Sequence, residues 1–158
     1  MSDSNPAITE RQAAYVARAM HEQDTFTDLL GISLDDVRPG YAKVSTTVRG
    51  DMLNMHAGCH GGLIFAVADS AFGYACNSRN RTSLAQFASI NFLSSAKKDD
   101  ILIAEAVERS ITGRTGIFDV TVTTHDGRMI AEFRGVSKRI EGEVIALPEE
   151  FSEIGPQR

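Results

Sequence analysis

Residues 63 to 78 read LIFAVADSAFGYACNS, and as a helix this segment carries Leu, Ile, Phe, Val, Ala, Tyr or Cys on nearly every face. A helix that is apolar all round is a buried helix rather than a surface one. The rest of the chain must therefore wrap it. A sheet can cover one side, and a second subunit is the most direct cover for the other. The segment is interrupted by Asp69 and Ser70 and falls short of the roughly 20 apolar residues that span a bilayer.

The flanking sequence supplies the sheet. Residues 8 to about 23 place apolar side chains at helical spacing among Glu, Arg and Gln, after an Asn5-Pro6 breaker. From Gly31 the period changes. Ile32, Leu34 and Val37 lead through Pro39-Gly40 to the β-branched run of Tyr41, Val44, Thr46 and Val48, which reads as a hairpin. The segment from Asp51 to Gly62, DMLNMHAGCHGG, has neither period and reads as an ordered or functional loop. Leu84 to Leu93, Ile101 to Ile111, Gly116 to Thr124 and Met129 to Ile140 alternate as strands, with turns at Lys97 to Asp100, Thr112-Gly113 and Asp126-Gly127. The order is helix, two strands, loop, buried helix, then four consecutive antiparallel strands. That is an α+β chain with about six strands curled around one central helix. A single domain over residues 1–158 is expected, with its core at about 10–142 and a partly mobile extension over 143–158.

Composition narrows the function. With 16 basic and 21 acidic residues the net charge is -5, so no global field draws in nucleic acid or an anionic membrane. The opening MSDSNPAITERQ lacks the basic start and apolar stretch of a secretory signal, and a soluble cytoplasmic protein is expected. Cys59 and Cys76 are expected as thiols. No CxxC, GxGxxG or GxxxxGK[ST] pattern occurs. His56, Cys59 and His60 match no standard zinc spacing and offer only three ligands, so no metal is expected.

Asp69, in the most apolar stretch of the chain, is either a structural carboxylate bonded to nearby backbone or Ser70, or a general base or nucleophile facing a cleft. His60-Gly61-Gly62 opens the central helix. Its glycines either permit a tight turn or let a ligand approach unpaired N–H groups at the positive end of the helix, as an oxyanion hole requires. Gly62 and Asp69 lie seven residues apart, on nearly one face but about 10 Å from each other. One carbonyl cannot meet both. Two such helices packed antiparallel would bring the start of one beside the middle of the other, so the spacing asks for a dimer. Asn54 either orients water or substrate through its amide or bonds its own loop backbone. His56 or His60 is the rival general base.

The run MLNMHAGCHGGLIFAVADSAFGYACNS, with the later FRGVSKRI, resembles the hotdog-fold acyl-CoA thioesterases, and among them the PaaI type associated with phenylacetate breakdown. The resemblance covers roughly residues 10 to 142 and is strongest from Met52 to Ser78. It implies a hotdog fold, with dimers joined sheet edge to sheet edge and usually a dimer of dimers. It also implies that Asp69 activates water or attacks the thioester, that the Gly62 N–H polarises the carbonyl, and that Asn54 helps orient water. Asp69 would come from the opposite subunit. The substrate would be phenylacetyl-CoA or a related aromatic acyl-CoA, with CoA as part of the substrate and no separate cofactor. His60 and Gly61 would border the substrate. A net charge of -5 would repel the nucleotide of CoA unless basic residues gather at the mouth of the site, and Lys97 and Lys98 in the atypical turn, Arg114, and Arg79 and Arg81 after the central helix are each either such a phosphate contact or a solvated surface charge. Where relatives have Pro and a Gly-Asp turn, this chain has Ser94 to Asp100; where some relatives have a helpful hydroxyl, it has Thr82 and Ser83. A hotdog hydratase or dehydratase and a non-catalytic acyl-CoA binder are the competing readings.

Overall fold

The computed structural model describes residues 8–151; the Asn5-Pro6 breaker and the last seven residues of the tail lie outside them. Helix α1 (Glu10–Gln23) starts at a capping box in which Thr9 and Gln12 satisfy each other's backbone N–H groups. A short helix α2 (Thr25–Leu30), absent from the sequence reading, follows immediately. Asp24 ends α1 and caps α2, and Gly31, with φ of 64°, closes it.

The strands are β1 (Ser33–Arg38), β2 (Tyr41–Thr47), β3 (Ser83–Phe92), β4 (Ile101–Thr112), β5 (Thr115–Thr124) and β6 (Met129–Arg139). They form one antiparallel sheet in the order β1-β2-β4-β5-β6-β3. The last four strands of the sequence are therefore antiparallel, as read, but β3 does not pair with its successor β4. It crosses to the far side and pairs with β6, so β1 and β3 are the two edges.

The central helix α3 (Gly61–Asn77) touches all six strands. Six strands spaced about 4.8 Å apart are wider than a helix about 10 Å across, so the sheet must curl to keep every strand in contact. Small side chains permit the close approach: Ala42, Ala104 and Ala106 are fully buried beneath the helix face formed by Val67, Ala68, Ala71 and Ala75. Gly135 serves the same end, since a β-carbon there would stand 2.7 Å from the Phe72 ring. Phe72 packs edge-on to Phe118 at 5.6 Å.

The extension is packed as far as it is described. Asn80 bonds both N–H and C=O of Ile145, and Phe151 is buried against Tyr15 and beneath the Arg11 guanidinium. Among the described residues no helix is long and apolar enough to cross a membrane.

Candidate active site

Helix α3 is buried on most of its surface, yet one stripe is left open. Gly62, Phe65 and Asp69 are exposed, and Ala66, Ser70, Gly73 and Cys76 are half-buried along the same line. Asp69 is thus not enclosed within the single chain as the apolar sequence suggested. It makes no hydrogen bond or ion pair among the described residues, and Ser70 donates to Ala66 O (2.8 Å) instead. The structural role open to Asp69 in the sequence is therefore not the one taken. Its apolar surroundings raise its pKa through desolvation. Burial also pushes Cys59 up to about 11 and Cys76 up to about 12, so neither thiol is a ready nucleophile at neutral pH.

His60 is the N-cap of α3, and its Nδ1 accepts the Gly62 N–H at 2.9 Å. A backbone N–H can only donate, so Nδ1 is the bare nitrogen and the neutral ring carries its proton on Nε2. This corrects the sequence reading in one respect: the Gly62 N–H is already spent on the cap. The Leu63 N–H donates to His60 O (3.0 Å). The Gly61 N–H, one residue earlier than expected, has no acceptor among the described residues. Gly61 precedes Asp69 by eight residues, about 12 Å along the helix.

Asn54 takes the loop role with its amide oxygen and leaves its amide nitrogen unused. Its Oδ1 accepts the N–H groups of His56 (2.9 Å) and Gly58 (3.2 Å), tightening a loop in which Ala57 sits at φ of 60°. Its amide N–H₂ makes no bond among the described residues and remains a free donor. The loop is braced from outside. The Cys59 N–H donates to Ala96 O (2.8 Å), and Asp100 Oδ2 accepts both the Lys97 N–H and Arg128 Nη2, each at 2.8 Å. These contacts hold the Asp100 carboxyl below its usual range, the Lys97 N–H contributing most. Arg128 also donates to Ser95 O. The sequence reading passed over this brace because its members come from two separate turns.

The basic candidates separate. Lys97 and Lys98 lie in the braced turn beside the start of α3. Arg114 sits in the β4–β5 turn, where its C=O accepts the Arg139 N–H; Arg139 pairs with Ser83, next to the far end of α3. Arg114 also lies 3.9 Å from Glu141. The two groups are therefore at opposite ends of a 17-residue helix, about 25 Å long. Arg79 is engaged by both carboxylate oxygens of Glu108. Ser83 turns its hydroxyl to Arg81 O, and its N–H to Asn77.

The edge strand β3 carries Leu84, Phe87 and Phe92, all more than half exposed, followed by Leu93. This edge meets the open stripe of α3 where Phe92 lies against Gly61, and exposed apolar side chains grouped in this way mark an interaction surface.

Comparison with known proteins bears on this arrangement. Residues 56–131 match the thioesterase superfamily. The chain is 40% identical over 128 residues to the acyl-coenzyme A thioesterase PaaI of Escherichia coli, covering 81% of this chain and 91% of that one. The solved structure of the E. coli PaaI protein from the phenylacetic acid degradation operon superposes with a TM-score of 0.84 at 38% identity, over 86% of this chain and 99% of its own. A hypothetical thioesterase of Streptococcus pneumoniae, solved with coenzyme A, gives a TM-score of 0.67 at 26% identity, over 71% and 90% of the two chains.

Proposed function

Since the chain belongs to the thioesterase superfamily as a PaaI-like acyl-CoA thioesterase, we propose that it hydrolyses phenylacetyl-CoA or a related aryl acyl-CoA at a site shared between two subunits. The observation that carries the shared site is the separation of Gly61 from Asp69. An N–H without an acceptor and a desolvated carboxylate lie about 12 Å apart on one helix, and a single carbonyl reaches both only when they come from different copies. The open stripe of α3 and the apolar β3 edge are where that second copy packs.

In this reading the Gly61 N–H donates to the thioester oxygen and stabilises the negative charge that develops there. The partner subunit's Asp69 takes a proton from water as it attacks, or attacks the carbonyl itself. When water attacks, the C–S bond breaks, the proton taken up by the partner's Asp69 passes to the leaving sulfur and CoA departs as thiol with the free acid. When the partner's Asp69 attacks, CoA leaves first and water then opens the mixed anhydride, releasing the acid, restoring the carboxylate and supplying the thiol's proton. The Asn54 amide orients the water, and Lys97 and Lys98 meet the anionic nucleotide at the mouth. The His60 cap disfavours the hydratase reading, because a histidine whose bare nitrogen is bonded to its own helix has no site left to accept a substrate proton.

Asp69→Asn keeps the shape of the side chain and removes the base. Turnover of phenylacetyl-CoA, followed by thiol release, is expected to fall by on the order of 10² or more while substrate still binds in titration. Undiminished turnover overturns the assignment.

A further inference from the structure

We infer that Phe92, together with Phe65, selects aryl over alkyl acyl groups, an inference that rests on the reading of Gly61 given above. A β-carbon on Gly61 would stand 3.3 Å from Phe92 Cζ and 3.4 Å from Cε1, so the edge of this ring lies directly against the residue whose N–H is free. In the single chain the ring is nonetheless 54% exposed, at the end of the edge strand β3, so that in the proposed dimer it borders the shared site between the two copies. Phe65 follows Gly61 by one helical turn and precedes Asp69 by one, so the three form a row along α3. Its ring is held edge-on to buried Phe133, with centroids 5.4 Å apart and planes at 72°, and its other side is open.

Two aromatic rings from different elements therefore border the point where the carbonyl is held. One is fixed by packing and the other sits against the glycine that makes room for it. Rings favour edge-on or offset contact at centroid separations of roughly 4.5–7 Å, and a phenyl group one methylene from a carbonyl held at Gly61 is inferred to make such a contact with these rings. An alkyl chain in the same place gains burial but not that contact.

The test compares kcat/KM for phenylacetyl-CoA and hexanoyl-CoA in the wild type, Phe92→Leu and Phe92→Ala, with light scattering on each. The leucine variant keeps apolar bulk, so it separates loss of the ring from loss of folding. The aryl-to-alkyl ratio is expected to fall about three- to tenfold in Phe92→Leu, the range set by one aromatic pair, with subunit assembly unchanged. A ratio that stays constant, a parallel fall for both substrates, or dissociation of the subunits shows that Phe92 only packs the interface, and overturns the inference. A wild type that hydrolyses hexanoyl-CoA and ignores phenylacetyl-CoA overturns the underlying substrate reading instead, and the selectivity of Phe92 with it.

Discussion

Desolvation by its apolar surroundings raises the Asp69 carboxyl above the ordinary carboxylate range, and among the described residues no cation pairs with it. The sign of the linkage follows. A carboxyl whose folded-state pKa exceeds its unfolded value favours folding fully below the unfolded value, and that contribution is lost as pH rises through the folded one. At neutral pH the fold thus carries an ionised group it disfavours. Asp69→Asn, neutral at every pH, is expected to melt higher than the wild type near pH 7, and the gain should vanish near pH 3, as thermal denaturation at the two pH values would show. Activity runs the other way: kcat/KM should fall as pH drops through the raised pKa, and the limb should lie above the range of an ordinary exposed carboxylate. A carboxylate inside an apolar run stands out in the sequence, so this residue was legible. The role of Gly61 was not, because the identity of a capping side chain does not reveal which N–H it takes. Phe92 was hidden for a different reason: nothing in an alternating strand tells an edge from an interior.

Gly61 occupies the first position of α3, where proline is well tolerated because its missing N–H is one the helix leaves unpaired. The preceding residue must then be extended, and His60 already is, at φ of -64° and ψ of 133°. Gly61→Pro therefore deletes the proposed carbonyl donor while keeping the helix and its cap, although its β-carbon would stand 3.3 Å from Phe92 Cζ and the ring must shift by a few tenths of an ångström, so Gly61→Ala, which adds the same β-carbon but keeps the N–H, is the control. Turnover is expected to drop by about 10² to 10³, with the circular dichroism spectrum unchanged; wild-type turnover would move the donor elsewhere. At this scale the sequence was largely readable. Strong apolar periods located α1, α3 and all six strands to within a residue or two. Helix α2 escaped because six residues hold too little periodicity, although its Asp24 cap and Gly31 stop were visible. The pairing of β3 escaped because neighbouring strands were assumed to form hairpins, whereas α3 must lie between sheet positions that β3 and β4 reach from opposite sides.

If each site draws Gly61 from one subunit and Asp69 from the other, two inactive variants should repair each other. Gly61→Pro and Asp69→Asn chains, unfolded together and refolded as a mixture, are expected to regain about a quarter of wild-type activity, since half of randomly paired dimers are mixed and each holds one intact site. A mixture as inactive as its parts would place both groups within one chain. The all-round apolar helix is the sequence feature from which the proposed partner is argued, whereas the division of the basic residues between its two ends was not legible, because that depends on which strands pair. The same pairing sets an order in time. Ser83 at the start of β3 meets Arg139, the last residue of β6, and among the described residues β3 pairs with no other strand. A nascent chain lacking β6 has nowhere to seat β3, and contacts that close so late in the sequence form slowly. In the proposed dimer, the edge that a second copy would recognise is therefore completed only once β6 has been made, so the docking surface and the closure of the core arrive in the same late step.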